Sequence, residues 1–463
     1  MNPLRDFARL VALAAATAAL GACVSVAPPP AMDAAPPQWR DAPGAGVAVQ
    51  RDWWRGYNDP ALTRLVDTAL ERNTDLRLAA ARVAEARALL DAQGAQQWPT
   101  LDLAGSATRS RSVGAATGRP NLSTVSQPQF QAAYEVDLWG RLSSLTEAAR
   151  ANLLASQTGA DSVRLSVAAA AASGYIGLRA SDARLDVARR TLASRENALK
   201  LAQRRYDTGY TSRLELAQAQ AEYRATAQVV PQLELAIRRQ EDALSVLLGR
   251  APQAIERGRA LAQIAAPALP AAGVPSQLLR RRPDIAQGEA QIAASDASLA
   301  AARAQLLPSL RLTGSIGSLE SSLLHGDPIR VWSVGGSVLA PLFNAGRLRA
   351  GVRASAARRD QAVLGYQKTV LTAFAEVEDA LAAIGHLREQ RDQALQQQRA
   401  LADALRIAHN RYNEGYASYL EELDAQRNLF NAELTALQLQ GDALIAEVNL
   451  YKALGGGWER AAQ

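Results

Sequence analysis

The chain of 463 residues repeats itself, and the repeat limits what it can become. Asp75 and Pro99 recur as Asp284 and Pro308, each 209 residues later. Gly140-Arg141 and Arg205-Tyr206 recur as Gly346-Arg347 and Arg411-Tyr412, each 206 residues later. Two colinear halves therefore differ by one three-residue shift, between the proline and the Gly-Arg pair. Length changes collect in loops, so a loop is expected between Pro99 and Gly140 and another between Pro308 and Gly346. Each half must contain the same set of elements.

Both intervals that hold the shift alternate apolar and polar residues. Phe130, Ala132, Tyr134, Val136 and Leu138 share one face of the first, against Gln131, Glu135 and Asp137. Leu310, Leu312 and Ile316, then Trp332, Val334 and Val338, do the same in the second. Period two over about ten residues predicts a strand between two different environments. Ser/Gly/Thr-rich segments at about 111–126 and 317–328 are read as hairpin loops that absorb the shift. From Gly140 to Tyr206 and from Gly346 to Tyr412 the period becomes 3.6 with no proline. At ~1.5 Å per residue each span predicts a helix approaching 100 Å. Aromatic residues make up only 5% of the chain, so such helices must pack through Ala–Leu seams.

The predicted organisation is a mixed α and β tandem repeat. Repeat 1 covers 53–250: a helix, a β-hairpin at about 99–139, a long helix 141–206, a tip and a helix 213–249. A linker follows at 251–282. Repeat 2 covers 283–463: a helix, a hairpin at about 308–343, a long helix 347–412, a tip, a helix 418–454 and a C-terminal tail. Each tip reads Arg-Tyr-x-x-Gly-Tyr: Tyr206, Gly209 and Tyr210, then Tyr412, Gly415 and Tyr416. A glycine there supplies the left-handed cap that ends a helix. Pro231 is expected to interrupt and kink the helix after the first tip. After the second tip Leu420, Leu423, Phe430, Leu434, Leu437, Leu444 and Val448 form a heptad stripe, so this helix packs beside another. The repeats are unequal: Gln218 and Ala221 stand where the second copy has Asp424 and Arg427.

At the N-terminus Arg5 and Arg9 precede the apolar run LVALAAATAALGA, which ends at Cys23, the lone cysteine. A basic start, a short apolar core and small residues make residues 1–22 a signal peptide. The run is too short to span a bilayer. Residues 23–52 are Pro/Ala-rich and read as an extended tether. Leu20-Gly21-Ala22-Cys23 resembles a lipobox, which implies acylation of Cys23; an ordinary secretory signal is the alternative. Net charge is +6, with arginines interleaved among acids, so nucleic acid is not an expected partner.

A four-stranded sheet with one apolar face can cover a soluble core or face lipid. In lipid every backbone group must be paired, so the sheet must close. Four strands cannot close; two, three or four copies would supply eight, twelve or sixteen.

WWRGYNDPAL at 53–62, LRRRPDI at 279–285, both tips, LDAQR at 423–427, NLYKALGGGW at 449–458 and the lipobox resemble the TolC-type outer-membrane efflux proteins, close to the OprM/NodT lipoprotein group. The resemblance spans essentially the whole chain. It implies a homotrimer with a twelve-stranded outer-membrane β-barrel, continued by a periplasmic α-helical barrel. It implies an exit duct for a tripartite efflux pump, completed by a periplasmic membrane-fusion adaptor and an inner-membrane transporter of the resistance–nodulation–division class. By the same resemblance Leu420 and Asp424 line the gate rings, while Tyr412 and Arg427 belong to the network that holds them shut. Arg427 is then expected to compensate the Asp424 carboxylates. Trp53 and Trp54 would anchor the N-terminal segment on the outside of the trimer. A type I secretion duct and a lipid-tethered coiled-coil adaptor are the alternatives.

No enzyme is expected. His325, His386 and His409 lack ligand spacing. Ser337 lacks the glycine that completes a nucleophile elbow. Gly455 to Gly457 lack a phosphate-binding context. No cofactor is expected apart from the lipid on Cys23, and Met1 and Met32 as sole methionines suggest no copper or silver relay.

Overall fold

The computed structural model describes residues 36–41, 46–113, 118, 120–322 and 328–460. The signal peptide, Cys23 and most of the tether lie outside the described residues. A short 3₁₀ turn, Trp53–Tyr57, opens the first repeat. It leads to α1 (Pro60–Arg72), α2 (Thr74–Ala95), β1 (Thr100–Val113), β2 (Pro120–Val136), α3 (Arg141–Asp207) and α4 (Arg213–Leu247). The second repeat runs α5 (Pro275–Arg281), α6 (Pro283–Ala304), β3 (Ser309–Ser321), β4 (Ile329–Leu339), α7 (Arg347–Asn413) and α8 (Tyr419–Ala453). Helices α3 and α7 are both 67 residues long. No described helix is long and apolar enough to cross a membrane.

Two compact units divide the chain. One comprises 82–157 and 287–367 with a sheet of order β1-β2-β3-β4, antiparallel throughout. The repeats meet at β2 and β3, leaving β1 and β4 as the edges. Cross-strand partners share a face, and the register defines that face. Leu101↔Ala132↔Gly314↔Val334 and Leu103↔Phe130↔Ile316↔Trp332 are two successive apolar rows. The opposite face carries Gln131↔Ser315↔Ser333 and Glu135↔Arg311↔Ser337. Trp332, Val334 and Leu103 are each more than 70% exposed in the chain.

The expected loop at 111–126 is strand over 111–113 and 120–126, and the one at 317–328 is strand over 317–321. Serine and threonine do not stop a ladder whose pairing is made by backbone groups, and pairing continues to Val113↔Pro120. Nor does the turn absorb the length difference between repeats. It falls in the second strands, 17 residues in β2 against 11 in β4, partly offset by a longer exit from β4 into α7.

The other unit comprises residues 33–81, 158–286 and 368–463 and holds the main core, built from Trp53, Tyr57, Leu62, Ile176, Leu244, Leu444 and Val448 among others. The motifs at 53–62, 279–285 and 449–458 are structural here. Asp59 is fully buried and caps α1: it accepts from Ala61 N at 2.8 Å, from Tyr175 Oη at 3.0 Å and from Arg259 N at 3.0 Å. Arg282 reaches Asp284 at 2.6 Å, Glu376 at 2.5 Å and the Ala453 carbonyl at 3.1 Å. Gly455, Gly456 and Gly457 all have φ between 57° and 88°, and a Cβ on Gly455 would lie 1.9 Å from the Arg281 carbonyl oxygen. That run therefore ends a helix against the linker. Trp53 and Trp54 are buried in this core, with Trp53 stacked on Tyr451 at 5.1 Å. They anchor the segment within the chain, because burying such large rings is worth more than leaving them on a surface. α4 passes Pro231 unbroken, and the interruption expected there is absent; packing of Leu233, Ile237 and Leu244 outweighs the one hydrogen bond that proline cannot donate.

Candidate functional site

Both tips are Schellman caps. In the first, Gly209 has φ 76°, its N–H donates to Tyr206 O at 2.9 Å, and Tyr210 N donates to Arg205 O at 2.7 Å. In the second, Gly415 has φ 78°, donates to Tyr412 O at 3.1 Å, and Tyr416 N donates to Arg411 O at 2.8 Å. The motif is thus a helix end spelled out: arginine and tyrosine supply the last carbonyls, glycine takes the left-handed turn, and the closing tyrosine returns the six-residue bond. Tyr210 and Tyr416 project into solvent.

The side chains then tie the two tips together, and unequally. Arg205 Nη1 donates to Tyr412 Oη at 2.7 Å, with the guanidinium 5.4 Å from the ring centroid. Tyr412 Oη donates in turn to Glu215 Oε1, which Thr211 Oγ1 also bonds through the other oxygen. Burial and the Glu215 hydrogen bond push the Tyr412 phenol well above its ordinary range. Tyr419 lies 5.6 Å from Tyr412, ring to ring, in a small core with Leu216, Ala219 and Leu423. Tyr206, the counterpart of Tyr412 in the first repeat, is 39% exposed.

A second layer lies further along α4 and α8. Glu222, 7% exposed, accepts from Arg427 Nε at 2.6 Å and lies 3.7 Å from Arg195 Nη2. Arg195 is buried and also donates to Gln426, which donates to Glu422 at 2.9 Å. Glu422, buried, faces His409 Nδ1 at 2.8 Å. Burial lowers the Arg195 guanidinium pKa, while the hydrogen bond to Glu222 raises that of Arg427. Each carboxylate taken out of water has a cation or a donor, as burial requires.

Leu420 and Asp424 stand outside this network. Both are exposed, and Asp424 accepts only from Asn428 at 3.2 Å on its own helix. Leu420 leaves the heptad stripe, whereas Leu423 on the stripe is fully buried. Arg427 makes its ion pair with Glu222 rather than with Asp424, whose charge adds a weaker attraction to the guanidinium. A buried carboxylate needs a fixed cation more than one that water already solvates. Sequence reasoning missed Glu215, Glu222, Glu422 and Arg195 altogether. The available signal was a charge inside an apolar spacing, as in Leu216, Ala219, Glu222, Thr226 and Leu233, all buried.

The chain as a whole has known relatives. Residues 65–250 and 274–456, one stretch in each repeat, match the family model described as outer membrane efflux protein. The solvent efflux pump outer membrane protein SrpC of Pseudomonas putida is 38% identical over 87% of this chain and 86% of its own. The pyoverdine export outer membrane protein OpmQ of Pseudomonas putida is 35% identical over 93% of this chain and 94% of its own. The solved outer-membrane channel OprN superposes with a TM-score of 0.86 at 31% identity, covering 94% of this chain and all of its own. The chain belongs to the outer membrane efflux protein family.

Proposed function

We propose that three copies of the chain form the exit duct of a tripartite efflux pump, closing a twelve-stranded barrel in the outer membrane and carrying small toxic compounds from a periplasmic pump to the exterior. One observation carries this reading: a four-stranded sheet with an exposed apolar face, a polar opposite face and two unpaired edges. In lipid such a sheet has to close on copies of itself. Cys23, acylated, would hold the N-terminus at the membrane. A periplasmic adaptor and an inner-membrane transporter of the resistance–nodulation–division class would complete the pump, which selects the cargo and supplies the energy.

The gate in this reading is the face of α8 that the tip network leaves free. Leu420 and Asp424 of three copies face one axis. The leucines form an apolar constriction, and the carboxylate ring holds cations and repels anions. Arg427, fixed to Glu222 on α4, holds α8 in the closed position, and Tyr412, fixed to Glu215 on α4, holds the end of α7 beside it. Opening means breaking those bonds and moving α8 outward. The test is single-channel recording of the acylated protein in planar bilayers, wild type beside Asp424→Ala. The expected result is a mostly closed wild type and a variant that conducts more and prefers cations less. Equal conductance and selectivity in both would remove Asp424 from the gate. Silence from a folded protein would favour a tethered coiled-coil adaptor.

A further inference from the structure

The outward half of the four-stranded sheet has two distinct faces, and three arginines share one of them. Arg109 pairs with Thr124, Arg111 with Leu122 and Arg330 with Ser318. Residues at even spacing lie on one side of a strand. Arg109 and Arg111 therefore continue the face of Leu101 and Leu103, and Arg330 continues that of Trp332 and Val334. Counting rows from the helical end, the apolar face begins at Val136↔Leu310↔Val338 and ends at Phe130↔Ile316↔Trp332. Arg330 enters in the next row, and Arg109 and Arg111 lie beyond it, toward the hairpin turn. From Val136 to Phe130 the strand rises about 20 Å, or about 15 Å along the axis of a barrel tilted by about 40°. Exposed Trp98 and Trp139 border the opposite end. The arginines thus stand past the outer end of these apolar rows.

These cations form no ion pair among the described residues. Glu320 is on the same face, bonded by Ser126 Oγ at 3.4 Å. None of the three arginines pairs with it or with any other described carboxylate. The charges of the opposite face, Asp102, Glu135 and Arg311, all lie in the inward half, and Glu135 is bonded by Arg141 at 2.7 Å. Arg109 and Arg111 are on one edge strand and Arg330 is on the other. When the sheet closes on further copies, the β1 edge of one and the β4 edge of the next border the same seam.

We propose that Arg109, Arg111 and Arg330 form a binding site for the phosphorylated headgroup of an outer-leaflet lipid, on the lipid-facing surface at each seam between copies. This rests on the barrel reading above. The chemistry selects the ligand. A guanidinium grips phosphate oxygens through two parallel hydrogen bonds. The adjoining apolar rows accept acyl chains. An amphiphile with phosphate at its head satisfies both, and a free anion satisfies only the first. The lipid in turn bridges two copies and stabilises the seam.

The experiment is native mass spectrometry of the purified oligomer in neutral detergent, titrated with diphosphoryl lipid A. The comparison is wild type against Arg109→Gln/Arg111→Gln/Arg330→Gln. We expect retained lipid to fall about tenfold in the triple variant, a triple Lys variant to fall less because charge persists without the fork, and Arg311→Gln on the other face to match wild type. Bilayer conductance of the Gln variant should equal wild type, since the lumen face is unchanged. If the triple variant does not assemble, each single Gln variant should lower retention about two- to threefold, and unchanged retention in all three overturns the proposal. Equal retention by wild type and the Gln variant, with both conducting, overturns the site and spares the barrel. Equal loss with Arg311→Gln overturns the assignment of faces. Displacement of the lipid by millimolar inorganic phosphate alone makes the site one for free anions and overturns the lipid assignment. A wild type that neither inserts nor runs as an oligomer overturns the barrel and this site together.

Discussion

The two helical tips share a backbone and divide the chemistry between them. Each ends its long helix with the same glycine cap, and each exposes a tyrosine at the turn. Beyond the backbone their side chains bond unequally. The second tip contributes Tyr412 and Arg427; the first contributes Glu215 and Glu222, which receive them. The counterparts of the donors, Tyr206 and Ala221, take no part in these bonds. A duplicated hairpin has in this way become a pair in which one copy is a frame and the other is held by it. Leu420 and Asp424 lie on the held copy.

Substitutions that should behave differently in the two tips test that division. The largest effect is expected from Arg195→Ala, which removes a buried cation between Glu222 and Gln426 and should destabilise the tip by about 3 kcal/mol, seen as a lower thermal midpoint. Arg427→Ala should leave the fold in place, because Arg195 remains 3.7 Å from Glu222. It should release α8 and raise the open fraction about tenfold in bilayers, a shift of about 1.4 kcal/mol. Glu222→Gln should give a similar conductance, and an additive double variant would show that the two do not act through one bond.

Tyr412→Phe should open the channel a few-fold while Tyr206→Phe leaves it unchanged; equal effects would erase the distinction between frame and held copy. The pH dependence follows from the raised Tyr412 phenol. A group that holds its proton more tightly when folded contributes stability below its unfolded value, about pH 10, and loses it as pH rises further. Wild type should therefore lose its closed population as the pH rises beyond about 10, a step that Tyr412→Phe, already more open, should lack. The smallest effects belong to the shared caps. Gly209→Ala and Gly415→Ala should each cost about 1 kcal/mol in thermal stability, and equally, since both positions have nearly the same φ. Unequal costs would mean that the backbone itself differs between tips.

Much of this architecture is legible in the amino-acid order. The repeat offset, the proline-free spans and the apolar alternation set out two hairpins and two long helices per chain. Arg-Tyr-x-x-Gly-Tyr announces its caps because a helix end needs a glycine at one fixed position. The tip partners are not legible. Glu215 and Tyr412 are 197 residues apart, and nothing local to either marks the other. Arg427 reads as the neighbour of Asp424 because sequence spacing measures distance along one helix. The helix packed against it presents a buried carboxylate, and burial decides the pairing. The polar outer strands read as loops for a related reason: a residue's polarity describes its surroundings, while a strand is made by the backbone pairing with its neighbour.

The amino-acid order alone determined the long helices, the inner part of each strand and the capped tips, because those properties depend on periods of two to seven residues. Tertiary structure alone decided which charges meet, which tyrosine is engaged and which arginines remain unpaired at the rim of the apolar band. Those outcomes depend on desolvation and on contacts between segments about two hundred residues apart, and no local period records them.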